Sequence, residues 1–146
     1  FGRWYYPSAS SLLLLCDCGG SNDYRRYLFK EELQRLADRM QLQVRVAHYP
    51  PYTSKYNPIE HRLFPHVTRA CAGVSFEDLA TAVQLMRKTR TRTGLRVTVE
   101  VVRKYYATGL PYSAEFRDSM PLVFDDDLSD WNYTAVPGAA ADVMRN

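Results

Sequence analysis

The sequence has no long apolar run and few cysteines, and each absence excludes a class of protein. Its longest apolar run, Leu12–Cys16, has 5 residues, whereas a membrane helix needs roughly 20. The 3 cysteines are an odd number without the spacing of a disulfide framework. Cys16 and Cys18 could supply half a zinc site, but the chain has no second pair to complete it. We therefore expect a globular protein from a reducing, cytoplasmic setting.

The first residues lack the marks of a secretory leader. Phe1 stands where an initiator Met would be, and residues 1–6 contain no apolar h-region. A start at Phe, soon followed by a strand, predicts a fragment of a longer protein. At 146 residues the chain is still long enough for one domain with its own core.

Basic residues only slightly outnumber acidic ones, but the two kinds are unevenly distributed along the chain. The formal net charge is +3, from 19 basic and 16 acidic residues, which permits nucleic-acid binding without requiring it. Basic residues cluster at Arg25–Arg26, at Arg35 and Arg39, and between Arg87 and Arg92, whereas acids cluster at Asp125–Asp127. A polyanion would therefore meet locally basic surfaces.

Apolar periodicity predicts an α/β fold. Residues 11–16 form a continuous apolar strand of the kind found in covered sheets. Residues 24–41 show helical spacing and residues 42–48 alternate, so strand, helix and strand should form a right-handed parallel unit. Further predicted elements are a helix from Pro58 that Pro65 interrupts, a helix capped near Ser75, a strand over 95–101, a short helix near 113–118 and a flexible tail over 137–146.

Two carboxylates follow the predicted strands. Asp17 comes directly after the first strand, and Glu60 opens the helix that follows the second, with 42 residues between them. Carboxylates that converge in this way can hold the two divalent cations of phosphodiester chemistry. Gly19 and Gly20 allow a tight turn beside Asp17. Each acid also has a simpler interpretation, as a solvated strand end or as part of a helix cap.

Two segments resemble a known family. Pro50–Glu60, with the residues Pro-Pro-Tyr-Thr-Ser-Lys-Tyr-Asn-Pro-Ile-Glu, is similar to the last-carboxylate motif of mariner-type DDE transposases. The combination of Cys16–Asn22 with Thr53–Phe64 more narrowly resembles the Rhodopirellula-type transposases of bacterial insertion sequences. The likeness continues through Thr91–Leu95 and Trp131–Thr134 and so covers nearly the whole chain.

The resemblance implies an RNase H-like catalytic fold with three acids and two Mg²⁺ or Mn²⁺ ions. Asp17 would match the second acid and Glu60 the third, while the first is expected on a strand upstream of residue 1. Residues 1–136 would then be a single catalytic-domain fragment that holds the C-terminal part of the central mixed sheet with its flanking helices. We expect the isolated chain to be poorly active or inactive, with an exposed strand edge that promotes homo-oligomers.

Basic residues near these acids are candidates for contacts with DNA phosphates. Lys55, His61 and Arg62 flank Glu60, and Arg25 lies in the first basic cluster. Solvated charge is the competing interpretation of each. Other polar residues receive structural interpretations: Asn57 as a helix cap, His48 as a satisfied histidine at the sheet edge, His66 and Cys71 as packing residues, Asp125–Asp127 as a solvated loop, and Trp131 and Tyr133 as anchors of the C-terminal segment.

The sequence thus favours a DDE transposase fragment that cleaves DNA at the ends of an insertion sequence and transfers the freed strand. Two alternatives stay open at this point. One is another RNase H-like nuclease, such as a resolvase. The other is a catalytically inactive remnant that binds DNA or oligomerises, which the missing first acid supports.

Overall fold

The computed structural model describes residues 2–138, and these divide into two compact units. The first unit contains residues 2–54 and 108–138, and the second contains residues 55–107. Most of the predicted flexible tail, residues 139–146, lies outside the described residues. Within them, no helix combines the length and apolar character that crossing a membrane requires.

The first unit is built on a four-stranded mixed sheet. Its strands are β1 (Ser11–Cys16), β2 (Gln43–His48), β3 (Val123–Phe124) and β4 (Asn132–Ala135), in the order β1-β2-β4-β3. β1 and β2 are parallel, whereas β4 is antiparallel to both β2 and β3. The predicted parallel pair is confirmed, with Ser11 opposite Gln43 and Cys16 opposite His48. β1 lies at the edge of the sheet, where Leu13 is 56% exposed.

Three helices complete the first unit. They are α1 (Gly2–Tyr5), α2 (Tyr27–Met40) and α6 (Ala114–Ser119). α2 connects the parallel strands and buries Leu33 and Ala37 in one cluster with Val44, Val46 and Tyr133. Because α2 has one apolar stripe, it covers one sheet face and leaves Glu32, Arg35 and Arg39 in solvent, whereas Glu31 is buried. α6 begins after Ser113, whose Oγ accepts the Phe116 N–H at 3.0 Å, and Phe116 is buried.

The second unit contains α3 (Ile59–Arg62), α4 (Phe64–Cys71) and α5 (Leu79–Arg87). The predicted interruption at Pro65 is confirmed, because α3 ends at Arg62 and a new helix begins at Phe64. Proline lacks the N–H that a continuous helix would use here. Asn57 accepts the Ile59 N–H on its Oδ1 at 3.3 Å, in agreement with its predicted capping role.

Two predictions for the second unit are wrong. The third helix begins after Asp78, not at Ser75, because the Asp78 carboxylate accepts the Thr81 N–H at 2.6 Å and caps the helix there. Residues 95–101 form no strand; only an isolated backbone pairing of Arg90 with Arg96 is present. Their alternation provides one apolar face, but within the described residues no neighbouring strand supplies the hydrogen bonds that a strand requires.

Candidate active site

Asp17 lies at the carboxyl end of β1 with its side chain exposed and anchored. Its Oδ1 accepts the Gly19 N–H at 3.1 Å and Nδ2 of Asn22 at 3.2 Å. These two donors, the backbone N–H first, lower the pKa of Asp17 below its ordinary value, so the carboxylate is ionised at neutral pH. Because both bonds end on Oδ1, Oδ2 is left for another partner.

The glycine pair beside Asp17 has the role that the sequence predicted. Gly20 has a φ of +58°, in the left-handed region that favours glycine. At Gly19, a Cβ atom would lie 3.3 Å from Asp17 Oδ1, so a larger residue would crowd the carboxylate. The turn therefore bends the backbone back toward Asp17 and brings the Gly19 N–H to its oxygen.

A second layer of hydrogen bonds supports this turn. His48, at the end of β2, is buried, with Nε2 2.9 Å from the Asn22 carbonyl and Nδ1 2.9 Å from the Trp131 carbonyl. His48 therefore links the Asp17 turn to the residue before β4. The predicted satisfied histidine is confirmed, and through Asn22 it also bears on the position of Asp17. Trp131 stacks on Tyr24 with ring centroids 4.9 Å apart, which agrees with its predicted anchoring role.

Glu60 lies in the second unit, exposed in the first turn of α3. Its backbone N–H donates to the Asn57 carbonyl at 3.0 Å. Within the described part of the chain, no ion pair engages its carboxylate. An exposed carboxylate at a helix start is free to accept a cation. Its predicted convergence with Asp17, which belongs to the first unit, stays a prediction.

The predicted basic residues around Glu60 differ in how firmly they are held. His61 places Nε2 2.5 Å from the Lys55 carbonyl, and because a carbonyl can only accept, that nitrogen carries the hydrogen. Lys55 directs its ammonium over the Tyr56 ring at 5.1 Å. Arg62 is exposed at the end of α3. These three residues lie together in the second unit and could reach a phosphate from one short segment.

Arg25 belongs to the first unit and is already paired. Its Nε lies 3.0 Å from Asp23 Oδ1 and its Nη2 lies 2.7 Å from Asp23 Oδ2. This two-point pairing lowers the pKa of Asp23 and raises that of Arg25. Since Asp23 neutralises its charge, Arg25 is a weaker candidate for phosphate contact than Arg62. Its role in DNA binding stays a prediction.

The available ligands suit a hard divalent cation. Mg²⁺ and Mn²⁺ prefer carboxylate oxygens, and Asp17 Oδ2 and the Glu60 carboxylate are of that kind. No group of three or more His, Cys, Asp or Glu side chains within residues 2–138 is placed to hold a metal. Asp125 is not available in the same way, because its Oδ1 accepts the N–H groups of Asp127 and Leu128 and its Oδ2 lies 3.6 Å from Nη2 of Arg45. This agrees with the predicted acidic loop.

These observations define a mixed α/β protein with an anchored carboxylate at a strand end of the first unit and an exposed carboxylate at a helix start of the second. The chain belongs to the family of the Rhodopirellula transposase DDE domain, whose sequence profile matches residues 1–137. The family predicted from the two motifs is therefore confirmed. Searches among curated proteins and among solved structures returned no match.

Proposed function

We propose that this chain is part of the catalytic domain of a DDE transposase. The reaction would be metal-dependent cleavage of DNA at insertion-sequence ends, followed by strand transfer from the freed 3′-hydroxyl. The observation that carries the proposal is Asp17, an ionised and anchored carboxylate with one oxygen open, at the end of a parallel strand. In this proposal, residues 1–136 form one RNase H-like domain.

The register of the parallel strands supports an RNase H-like arrangement. Cys16 pairs with His48 at the last position of both strands, so the chain leaves β1 and β2 at the same edge of the sheet. Asp17 follows β1 directly, and the segment toward Glu60 starts at Tyr49, whose N–H donates to the Cys16 carbonyl at 2.7 Å. The topology thus starts both acid-bearing segments from one edge.

In this proposal Asp17 and Glu60 hold the divalent cations, Mg²⁺ or Mn²⁺. When bound, such ions activate the attacking hydroxyl and stabilise charge on the leaving oxygen. Gly19 and Asn22 keep the Asp17 carboxylate ionised and oriented. Lys55 and Arg62 contact the DNA phosphates and fix the position of the scissile bond.

Manganese titration followed by NMR tests the metal site. Mn²⁺ should broaden the backbone signals near Asp17 and near Glu60 first, because paramagnetic broadening falls steeply with distance. Asp17→Asn should remove the broadening at both places, since the two carboxylates share the ions. Asp126→Asn, in the exposed acidic loop, is the matched control and should change nothing. Broadening confined to the acidic loop would contradict the proposed site.

The inactive-remnant alternative differs from the transposase proposal in the products that it predicts from DNA. A labelled duplex carrying an insertion-sequence end separates the possibilities. Nicking and joined products, from the chain alone or from a longer protein that contains it, support a transposase. Nicking without joined products indicates a resolvase-like nuclease. Binding without either product, from the chain alone and from a longer protein that contains it, indicates a remnant.

The exposed edge of β1 supports the proposed self-association. An unpaired strand edge offers backbone hydrogen bonds to a further strand, and Leu13 and Leu15 are 56% and 40% exposed there. Light scattering on wild type and Leu13→Lys tests this partner. Dimers that the substitution converts to monomers would support it, whereas a wild-type monomer at high concentration would contradict it.

A further inference from the structure

The second unit carries a strongly basic turn that the proposed acid site does not use. We name residues 87–98 the basic loop. Backbone pairing of Arg90 with Arg96 closes it, and the Thr91 N–H donates to the Leu95 carbonyl at 3.1 Å. The Leu95 N–H returns to Thr91 Oγ1 at 3.1 Å, and Gly94 supplies the turn with a φ of +104°. The basic loop is therefore an ordered hairpin-like turn.

Its charge is of one sign. The basic loop contains no acidic residue. It has five cationic residues, all of them exposed: Arg87, Lys88, Arg90, Arg92 and Arg96. None of them takes part in an ion pair within residues 2–138. They line an open depression of about 790 Å³.

This grouping of positive charges reduces the stability of the folded chain. Arg90 and Arg96 are direct cross-strand partners, and like charges opposite each other destabilise such a pair. The Arg87 guanidinium is held in place by the backbone, because its Nε and Nη2 donate to the Val99 carbonyl at 3.2 and 2.9 Å. A closed turn that gathers like charges, with no acidic residue among its own, is suited to a polyanion, which would remove the repulsion.

We propose that the basic loop is a contact surface for the phosphate backbone of duplex DNA. This inference rests on the proposed function, which makes DNA the substrate, and it adds a surface outside the segment around Glu60. Guanidinium groups pair well with phosphate oxygens, and exposed Thr hydroxyls such as Thr93 and Thr98 can add hydrogen bonds. Because such contacts reach only phosphates, the binding would be independent of base sequence.

Fluorescence anisotropy with a labelled duplex at several salt concentrations tests the proposal. The variant combines Arg90→Ala, Arg92→Ala and Arg96→Ala. Each lost phosphate contact lowers the slope of log affinity against log salt by about 0.9, so the slope should fall by roughly 2–3. At 0.1 M salt the affinity should fall on the order of 100-fold.

A control variant removes the same number of charges elsewhere, by Arg69→Ala, Arg103→Ala and Arg117→Ala, all exposed residues. Its affinity should change by less than roughly threefold, because its charges lie outside the basic loop. The thermal midpoint of the basic-loop variant should be equal to wild type or higher, since repulsion is removed. Arg92→Glu, a single change on the exposed turn, provides a second test and should also weaken binding.

The outcomes separate this inference from the proposed function. Equal losses in both triple variants would overturn the inference, because bulk charge would explain the binding. DNA binding that the basic-loop variants leave intact would overturn it while leaving the transposase proposal in place. Tighter binding of single-stranded RNA through the same arginines would overturn the choice of partner. If wild type does not bind the duplex, the inference fails, and the manganese titration still tests the acid site independently.

Discussion

Glu31 joins the middle of α2 to the segment that carries α6, and its removal should measurably destabilise the first unit. Its Oε2 accepts the Ser113 N–H at 3.0 Å, and its Oε1 accepts Nη2 of Arg35 at 2.8 Å. The side chain is only 6% exposed. Ser113 in turn caps α6, which buries Phe116. Glu31→Ala therefore leaves the Ser113 N–H without its acceptor at the start of that helix.

The size of the effect follows from the two contacts. A hydrogen bond to a charged acceptor contributes about 1.5–3 kcal/mol. The ion pair adds little, because the Arg35 side chain is 62% exposed and exposed pairs contribute at most about 0.5–1 kcal/mol. We expect Glu31→Ala to lower the free energy of unfolding by about 2–3 kcal/mol, and Glu31→Gln, which keeps an acceptor, by about 1 kcal/mol.

Glu32 provides a matched control. It pairs with the same Arg35 at 2.6 Å but is 56% exposed, so Glu32→Ala should cost no more than about 0.5 kcal/mol. Urea unfolding followed by circular dichroism at pH 7 measures all three variants. Equal losses for Glu31→Ala and Glu32→Ala would refute the reasoning, because the Ser113 contact would then contribute nothing.

The contribution of Glu31 should also depend on pH. The Ser113 N–H, as the largest cause, holds the pKa of Glu31 below its ordinary value of 4.5. A carboxyl with a depressed folded-state pKa stabilises the protein above its unfolded pKa, and this stability is lost as pH falls through the folded value. The difference between wild type and Glu31→Gln should be full at pH 7 and decrease below pH 4.5. A difference that is constant into strong acid would contradict this explanation.

Three further substitutions test the core and the Asp17 turn. Val46 lies in β2 with 0% of its side chain exposed. Val46→Ala should therefore lower the free energy of unfolding by about 2–3 kcal/mol in urea titrations. A loss below about 1 kcal/mol would mean that neighbouring side chains fill the cavity. Tyr133→Phe removes a buried hydroxyl that has no partner within residues 2–138, so the same titrations should show equal or higher stability, by up to about 1 kcal/mol. Asn22→Ala should raise the pKa of Asp17 measured by NMR, because a donor to its carboxylate is lost; an unchanged pKa would show that Gly19 suffices.

Local sequence patterns were enough to predict the parallel unit. The predicted strand over 11–16 matches β1, and the predicted second strand differs from β2 by one residue at its start. The helix between them begins at Tyr27, three residues later than expected, because residues 23–26 form a turn closed by the Arg26 N–H to the Asp23 carbonyl. Continuous apolar runs and helical spacing are local properties, which is why these elements could be recognised.

Elements that depend on distant pairing could not be predicted. β4 has four residues and β3 has two, and each forms only because a partner strand supplies its hydrogen bonds. The segment over 95–101 has a better strand pattern than either, yet it remains outside any sheet in the described residues. The same limit applies to the site. The position of Asp17 at a strand end could be predicted from the sequence. The hydrogen bonds of His48 to the Asn22 and Trp131 carbonyls could not, because those residues are 26 and 83 positions away in the chain.

The two acids are held in opposite ways, and this difference bears on how a metal site would form. Asp17 follows a strand of the main sheet and is fixed by two donors, so little ordering is needed at that carboxylate. Glu60 lies on a four-residue helix with no buried residue, and so short a helix is marginal without outside support. Its local restraints are Asn57 at the start and the bond from His61 to the Lys55 carbonyl. In the proposed metal site, the cost of ordering would therefore fall mainly on the Glu60 segment, and loss of the His61 bond should weaken metal binding without changing the pKa of Asp17.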